Sequence, residues 1–253
     1  MSAIRSFLAS LGFLCRIPMP YGWIYKKPFN EKGLYDWLPV AGLALGLIQA
    51  ILAFLFLLSG MPAWLAVALW LTASALLTGV FHEDGLADVA DSLGSMDRER
   101  RLEILKDSRL GTYGTSALIL LYLIRFSGYT QLHATGWFWP LFIALAASWM
   151  RWTPIWLMWK PGPAGGRAGS LGSLYAPPRL WLLCSQGLAL LAASYAFGIP
   201  GVLWFIPVLA TLIIVLGICF RRWYGGTIGD ALGATAVLTE VCLLAIVLTA
   251  LTR

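Results

Sequence analysis

Seven apolar stretches, over residues 37–58, 63–81, 115–131, 137–159, 180–197, 201–220 and 231–251, approach or reach the roughly 20 residues an α-helix needs to cross a bilayer. That repetition constrains the chain more than any other feature, because in hydrocarbon every backbone N–H and C=O must be bonded within its own segment or to a neighbour. The fold class it predicts is all-α: a polytopic integral membrane helical bundle of about seven transmembrane helices. With 59% hydrophobic residues, 12% charged residues and a mean hydropathy of +0.77, a soluble globular chain is excluded. Residues 1–253 read as a single membrane-embedded catalytic domain.

Ahead of the first span, Ile4, Phe7, Leu8, Leu11 and Leu14 recur at helical spacing. This run is too short to span, so it is expected to form an interfacial or re-entrant helix. A signal peptide ranks lower, because no clear small-residue cleavage site follows before Arg16 and Pro18. If the N-terminus is cytoplasmic, 15 of the 18 basic residues fall on the same side of the membrane. The predicted location is a cell inner membrane, crossed several times, with the candidate motifs on the cytoplasmic face. Cys15, Cys184, Cys219 and Cys242 lie singly in apolar surroundings and support neither zinc nor a disulfide framework. The net charge of +6 comes without a nucleic-acid motif; the lipid bilayer, its anionic headgroups and a phosphorylated substrate are the expected partners.

Eight of the chain's 12 acids sit between Phe81 and Gly114: Glu83, Asp84, Asp88, Asp91, Asp97, Glu99, Glu103 and Asp107. This stretch is expected to form a cytoplasmic acidic helical loop. If it is helical from Glu83 to Leu93, Asp84, Asp88 and Asp91 fall at i, i+4 and i+7 on one face. Stacked carboxylates repel, and a divalent cation relieves the repulsion; hard oxygen donors favour Mg2+, with Mn2+ as the second choice. Arg98, Arg100, Arg101, Lys106 and Arg109 follow, and Lys106–Gly114 (KDSRLGTYG) offers cations, hydroxyls and glycines to a phosphate. Metal and cations side by side are what phosphoryl transfer needs. The plain alternative is a solvated polar loop with simple ion pairs.

Other candidates are weaker singly. Gly225, Gly226 and Thr227 precede a helix expected to start near Asp230, where backbone amides can hold an anion, although Asp230 also suits a plain N-cap. The glycine- and proline-rich loop over residues 161–178 is either a linker or a lid. Arg125, Arg151 and Glu240 are ionisable groups inside predicted spans and are expected to face the bundle interior; Arg151 can snorkel or meet a phosphate, and Glu240 can pair with an arginine. His82 opens the acidic motif and can hydrogen-bond a carboxylate or phosphate. The 13 tryptophans fit membrane interfaces.

The run FHEDGLADVADSLG followed by RRLEILKDSRLGTYG resembles the signature of the cobalamin synthase family, the adenosylcobinamide-GDP ribazoletransferases. Phe13–Pro20, Arg151 and Gly225–Ala234 with Glu240 fit that family in the same order, so the resemblance spans essentially the whole chain. Departures are Glu83 in place of an apolar residue, Val89 of a threonine, Ser92 of a glycine and Cys15 of a threonine.

The resemblance implies transfer of α-ribazole, or its 5′-phosphate, to adenosylcobinamide-GDP, with magnesium as cofactor and GMP released, as the last step of cobalamin (vitamin B12) biosynthesis. Under it Asp84, Asp88, Asp91 and Asp230 are expected metal ligands, and Asp107 and His82 expected catalytic groups. Arg16, Lys106, Arg109, Arg151, Gly225, Gly226 and Thr227 would bind substrate. Other late corrinoid-assembly enzymes and further copies of the chain are admissible partners; nucleic acid is not. Two other readings stay open at this point: a CDP-alcohol phosphotransferase-like phospholipid enzyme, suggested by the Asp88–Asp91 spacing, and a cation transporter.

Overall fold

The computed structural model describes residues 3–24, 31–164 and 179–252. Their elements are α1 (Ala3–Leu14), α2 (Tyr21–Ile24), α3 (Glu31–Leu58), α4 (Ala63–Thr78), α5 (Phe81–Ser92), α6 (Arg98–Ile104), α7 (Thr112–His133), α8 (Phe138–Trp159), α9 (Leu180–Ala196), α10 (Phe205–Tyr224) and α11 (Gly229–Leu251). No strand forms among these residues; one isolated bridge joins Pro163 to Thr227. The expected lid over residues 161–178 lies outside the described residues except for its first four.

Each of the seven expected spans is a helix. By length and composition four helical stretches can cross a membrane alone, Gly33–Leu58, Phe138–Trp159, Val202–Tyr224 and Gly229–Leu251. A fifth is added if α4 and α5, bent by 88° to each other, count as one broken span. Helix α9 is shorter, at 17 residues, and α7 is interrupted by Arg125 and by a polar end around Thr130 and Gln131.

Helix α8 is the axis of the bundle, buried along nearly its whole length between α3 and α11. Small residues set the α3–α8 distance: a Cβ on Gly46 would come within 2.7 Å of the Ala144 carbonyl, and one on Gly42 within 2.7 Å of the Ala147 carbonyl. In lipid, where burial of apolar surface gives little drive to associate, such close backbone approach supplies the packing energy. Trp139, Trp149 and Trp152 are buried in this core. For these three the interfacial expectation is corrected, since their rings pack edge-on against Trp70, Phe205 and one another. Helix α1 lays its small face, Ser6, Ala9 and Ser10, on α3, and the Ser10 hydroxyl donates to the Leu34 carbonyl at 2.6 Å.

Candidate active site

The acidic helix owes its direction to the elbow before it. Gly79 ends α4 in the left-handed conformation (φ 68°), and Val80 continues in it (φ 54°). A β-branched residue there is strained, so surrounding packing must hold it. The end of α1 does so: Phe13 meets Phe81 edge-on at 5.0 Å, the Arg16 amide donates to the Leu77 carbonyl at 2.8 Å, and the Arg16 guanidinium lies against Gly79. Arg16 is thus an elbow residue that leaves its charge exposed at this end of the bundle.

Helix α5 then presents two faces. Asp84, Asp88 and Asp91 share one, in the i, i+4, i+7 register expected, while His82, Glu83, Gly85 and Val89 are buried. Gly85 packs against α11, where a Cβ would stand 2.7 Å from the Asp230 carbonyl. That approach brings Asp230, 146 positions from Asp84 by residue number, to the same cluster. Half-buried Asp88 feels the charge of Asp84 most, then Asp230, then Asp91. Among the described residues no cationic side chain pairs with Asp84, Asp88 or Asp230. No three His, Cys, Asp or Glu side chains among those residues converge closely enough to form a metal-binding group. The donor chemistry nevertheless fits a hard divalent cation: carboxylates only, with their mutual repulsion left uncompensated.

Asp91 has a different environment from its neighbours. Its Oδ2 accepts from the Gly111 amide and its Oδ1 from the Gly114 amide, each at 2.8 Å. It caps the N-terminus of α7 from another helix. The glycines of KDSRLGTYG serve this contact rather than a phosphate: a Cβ on either would overlap the Asp91 carboxylate. The same contact ties the strap carrying Lys106, Asp107 and Arg109 to the aspartate end of α5. Lys106 is exposed. Asp107 is bridged by Arg109 at 2.6 Å, and that hydrogen-bonded guanidinium pushes its carboxyl down to about 2. A carboxylate so held is a weak proton acceptor, which weighs against the catalytic role expected of it.

The turn between α10 and α11 also departs from expectation. Gly225 and Gly226 donate back to Arg221 and Phe220, and the Thr227 amide donates to the Gly162 carbonyl at 2.7 Å. The Thr227 hydroxyl donates to the Leu157 carbonyl at 2.9 Å. All three amides and the hydroxyl expected to grip a phosphate are therefore engaged, the two glycine amides in closing the end of α10 and both Thr227 groups in joining this turn to the end of α8. The exposed cation nearest the turn is Arg98, whose guanidinium covers Gly225. Ser92, where the family pattern has glycine, is buried and shares a hydrogen bond with the Tyr224 hydroxyl, fastening α5 to α10.

On the inward side of α5 lies a buried charge network. Arg125 of α7 donates to Glu83 at 2.6 Å and, through Nε at 3.0 Å and through Nη2, to Glu240 of α11; the Tyr129 hydroxyl donates to the other Glu240 oxygen at 2.6 Å. Glu83 is thereby an ion-pair partner, turned away from the aspartate face. Arg151 is 4% exposed and has no carboxylate partner among the described residues; its Nη1 reaches the Ala147 carbonyl at 3.1 Å and its Nε bonds to nothing. Its charged surroundings are Glu240, Glu83 and Arg125, so it and His82 belong to the buried side, apart from the aspartates. Arg125 and Glu240 are legible in the sequence as ionisable groups inside apolar spans. Their pairing with Glu83 and Tyr129 carries no local signal.

A family model described as cobalamin-5-phosphate synthase matches residues 6–248. A relative from Vibrio cholerae serotype O1 named adenosylcobinamide-GDP ribazoletransferase is 35% identical over 97% of this chain and 94% of its own. Relatives of the same name from Sinorhizobium medicae and Citrobacter koseri are 35% and 36% identical over 96% and 95% of this chain, and 97% and 98% of theirs. No solved structure matches.

Proposed function

The chain belongs to the cobalamin-5-phosphate synthase family, and we propose that the end of the bundle formed by α5, the start of α11 and the strap before α7 is where it carries out its reaction. The reaction is the final step of cobalamin biosynthesis, joining α-ribazole or its 5′-phosphate to adenosylcobinamide-GDP. With a whole-chain family match, the phospholipid-enzyme and transporter readings lapse.

In this step a ribazole 5′-hydroxyl oxygen forms a bond to the phosphorus nearer cobinamide, the bond from that phosphorus to the oxygen of GMP breaks, and the hydroxyl proton leaves. Charge accumulates on the diphosphate oxygens, so the site has to supply positive charge and position. Asp84, Asp88 and Asp230 would hold a magnesium or manganese ion, which would supply that charge when bound. Asp91 fixes the strap beside them, and through it the exposed cations Lys106 and Arg109 stand at the entrance to attract the anionic substrate. Arg16 and Arg98 add to the same field. With the N-terminus taken as cytoplasmic, 15 of the 18 basic residues fall on one side of the seven-span topology, which supports a cytoplasmic location for this end.

The observation that carries this reading is the packing of Gly85 of α5 against the Asp230 backbone of α11, which sets Asp230 in the field of Asp84 and Asp88. The test is GMP release by purified protein in nanodiscs with adenosylcobinamide-GDP, α-ribazole and magnesium, each omitted in turn. GMP formed only with all three supports the reading; undiminished release after chelation of divalent cations would remove the metal from it.

A further inference from the structure

A cavity of about 210 Å³ lies on the buried side of α5, walled by the ends of α1 and α5 and by α3, α8 and α11. Its lining is almost wholly apolar, with Phe13, Leu38, Phe81, Ile155 and Met158 among the walls; His82 and Arg151 are its main polar groups. It abuts the contact between α5 and α11 that positions Asp230, because its walls include His82 of α5 and Gly229 and Gly233 of α11, and a Cβ on Gly233 would stand 3.3 Å from the His82 carbonyl. Arg151 is the second observation: buried, lining this space, without a carboxylate partner among the described residues, and with an Nε–H that has no acceptor. A buried donor left unbonded costs about 1–3 kcal/mol, so the site gains most from a ligand that brings one acceptor into an apolar space.

The three parts of the two substrates differ in how they meet that requirement. The corrin ring is far larger than the cavity. Guanine carries several donors and acceptors around its rim, and apolar walls would leave most of them unpaired. The base of α-ribazole is an apolar bicyclic aromatic with one free ring nitrogen, an acceptor. Its flat faces suit the Phe13 and Phe81 rings, a guanidinium and the thioethers of Met150 and Met158.

Resting on the reaction assigned above, we propose that this cavity is the subsite for the benzimidazole base of α-ribazole, with Arg151 donating to its free ring nitrogen. The base enters between α1 and α11, and the ribose 5′-hydroxyl is left toward Asp84 and Asp230. Arg151 then recognises the acceptor base and is no phosphate ligand.

The test uses full-length protein in nanodiscs, with binding of 5,6-dimethylbenzimidazole and of α-ribazole followed by the base fluorescence and no adenosylcobinamide-GDP present. Saturable binding of both, competed by each other and not by guanosine, is expected. Leu38→Trp, which fills the cavity, should weaken α-ribazole binding and raise its KM at least about tenfold, a cost of about 1.4 kcal/mol. The KM for adenosylcobinamide-GDP should stay within about twofold on that scale. If Leu38→Trp does not fold, Ile155→Phe gives the same readout with a smaller intrusion. Unchanged α-ribazole binding in a folded variant, or an equal loss for both substrates, overturns the subsite, as does displacement by guanosine. Wild-type protein that releases GMP yet shows no base binding sinks the subsite and keeps the reaction. Base binding without GMP release does the opposite.

Discussion

Glu83 accepts a hydrogen bond from Arg125 at 2.6 Å across the contact between α5 and α7, 42 positions apart. The acid next to Asp84 therefore points inward, and its departure from the family pattern is explained without a role in metal binding. Arg125 also holds Glu240, so one guanidinium ties α5, α7 and α11 together.

Removing that guanidinium leaves two carboxylates buried without their cation. Arg125→Met is expected to destabilise the fold by about 3–5 kcal/mol. Arg125→Lys should recover only part, since an ammonium cannot reproduce a fork that reaches two acids. Adding Glu83→Gln and Glu240→Gln to Arg125→Met should restore stability, because the unpaired charges are gone. Denaturant unfolding of the purified variants in detergent measures this; a loss below about 1 kcal/mol for Arg125→Met would show the network to be dispensable.

Asp88 and Asp91 are expected to separate in the same assay. Asp91→Asn puts an amide NH2 against a backbone N–H that Asp91 now accepts, and should lower stability by about 1–3 kcal/mol as well as activity. Among the described residues Asp88 accepts no side-chain hydrogen bond, and it is half-buried and repelled by three carboxylates, so Asp88→Asn should abolish turnover while stability holds or rises slightly. Destabilisation by Asp88→Asn, or full activity in it, would contradict the division of roles.

The glycines facing Asp91 give a steric version of the same test. Gly114→Ala sets a methyl group into the Asp91 carboxylate and against the Ala87 carbonyl at 2.9 Å, and is expected to cost as much as Asp91→Asn. Gly22→Ala, with nothing within 4 Å, is the control and should be silent. Equal melting temperatures for the two variants would mean that α7 reseats without the cap.

What was legible in the sequence follows from the range of the interaction. Periodicity within one helix placed Asp84, Asp88 and Asp91 on one face, and hydropathy located α3, α4 and α7–α11. The whole-chain motif gave the family. Contacts between distant segments were not readable: the pairing of Asp91 with Gly111 and Gly114, of Glu83 with Arg125, and the use of Thr227 to join α8 depend on how helices cross. Glycines look alike in sequence whether they cradle a phosphate or admit a neighbouring carboxylate. The tryptophans misled for a related reason, since α8 is apolar on every side and nothing local says that Trp149 faces a core rather than lipid.

The pH dependence of the reaction distinguishes Asp107 from the acidic cluster. Arg109 lowers the Asp107 carboxyl from its ordinary 3.8 to about 2. A group depressed in this way contributes its stabilisation fully above the unfolded value and loses it only as pH falls through about 2, so the pair stays charged at every pH used for assay. Asp107→Asn is then expected to leave the shape of the pH–rate profile between about pH 5 and 9 unchanged, because no titration in that window belongs to it. Arg109→Ala should raise the KM for adenosylcobinamide-GDP, more steeply at low ionic strength, where an exposed cation attracts an anionic substrate over a longer distance. If instead the acidic limb of the wild-type profile vanished in Asp107→Asn, Asp107 would have to leave Arg109 when substrate binds and act as the proton acceptor. The expected result places any acidic limb with Asp88, which is half-buried and faces three other carboxylates rather than an arginine.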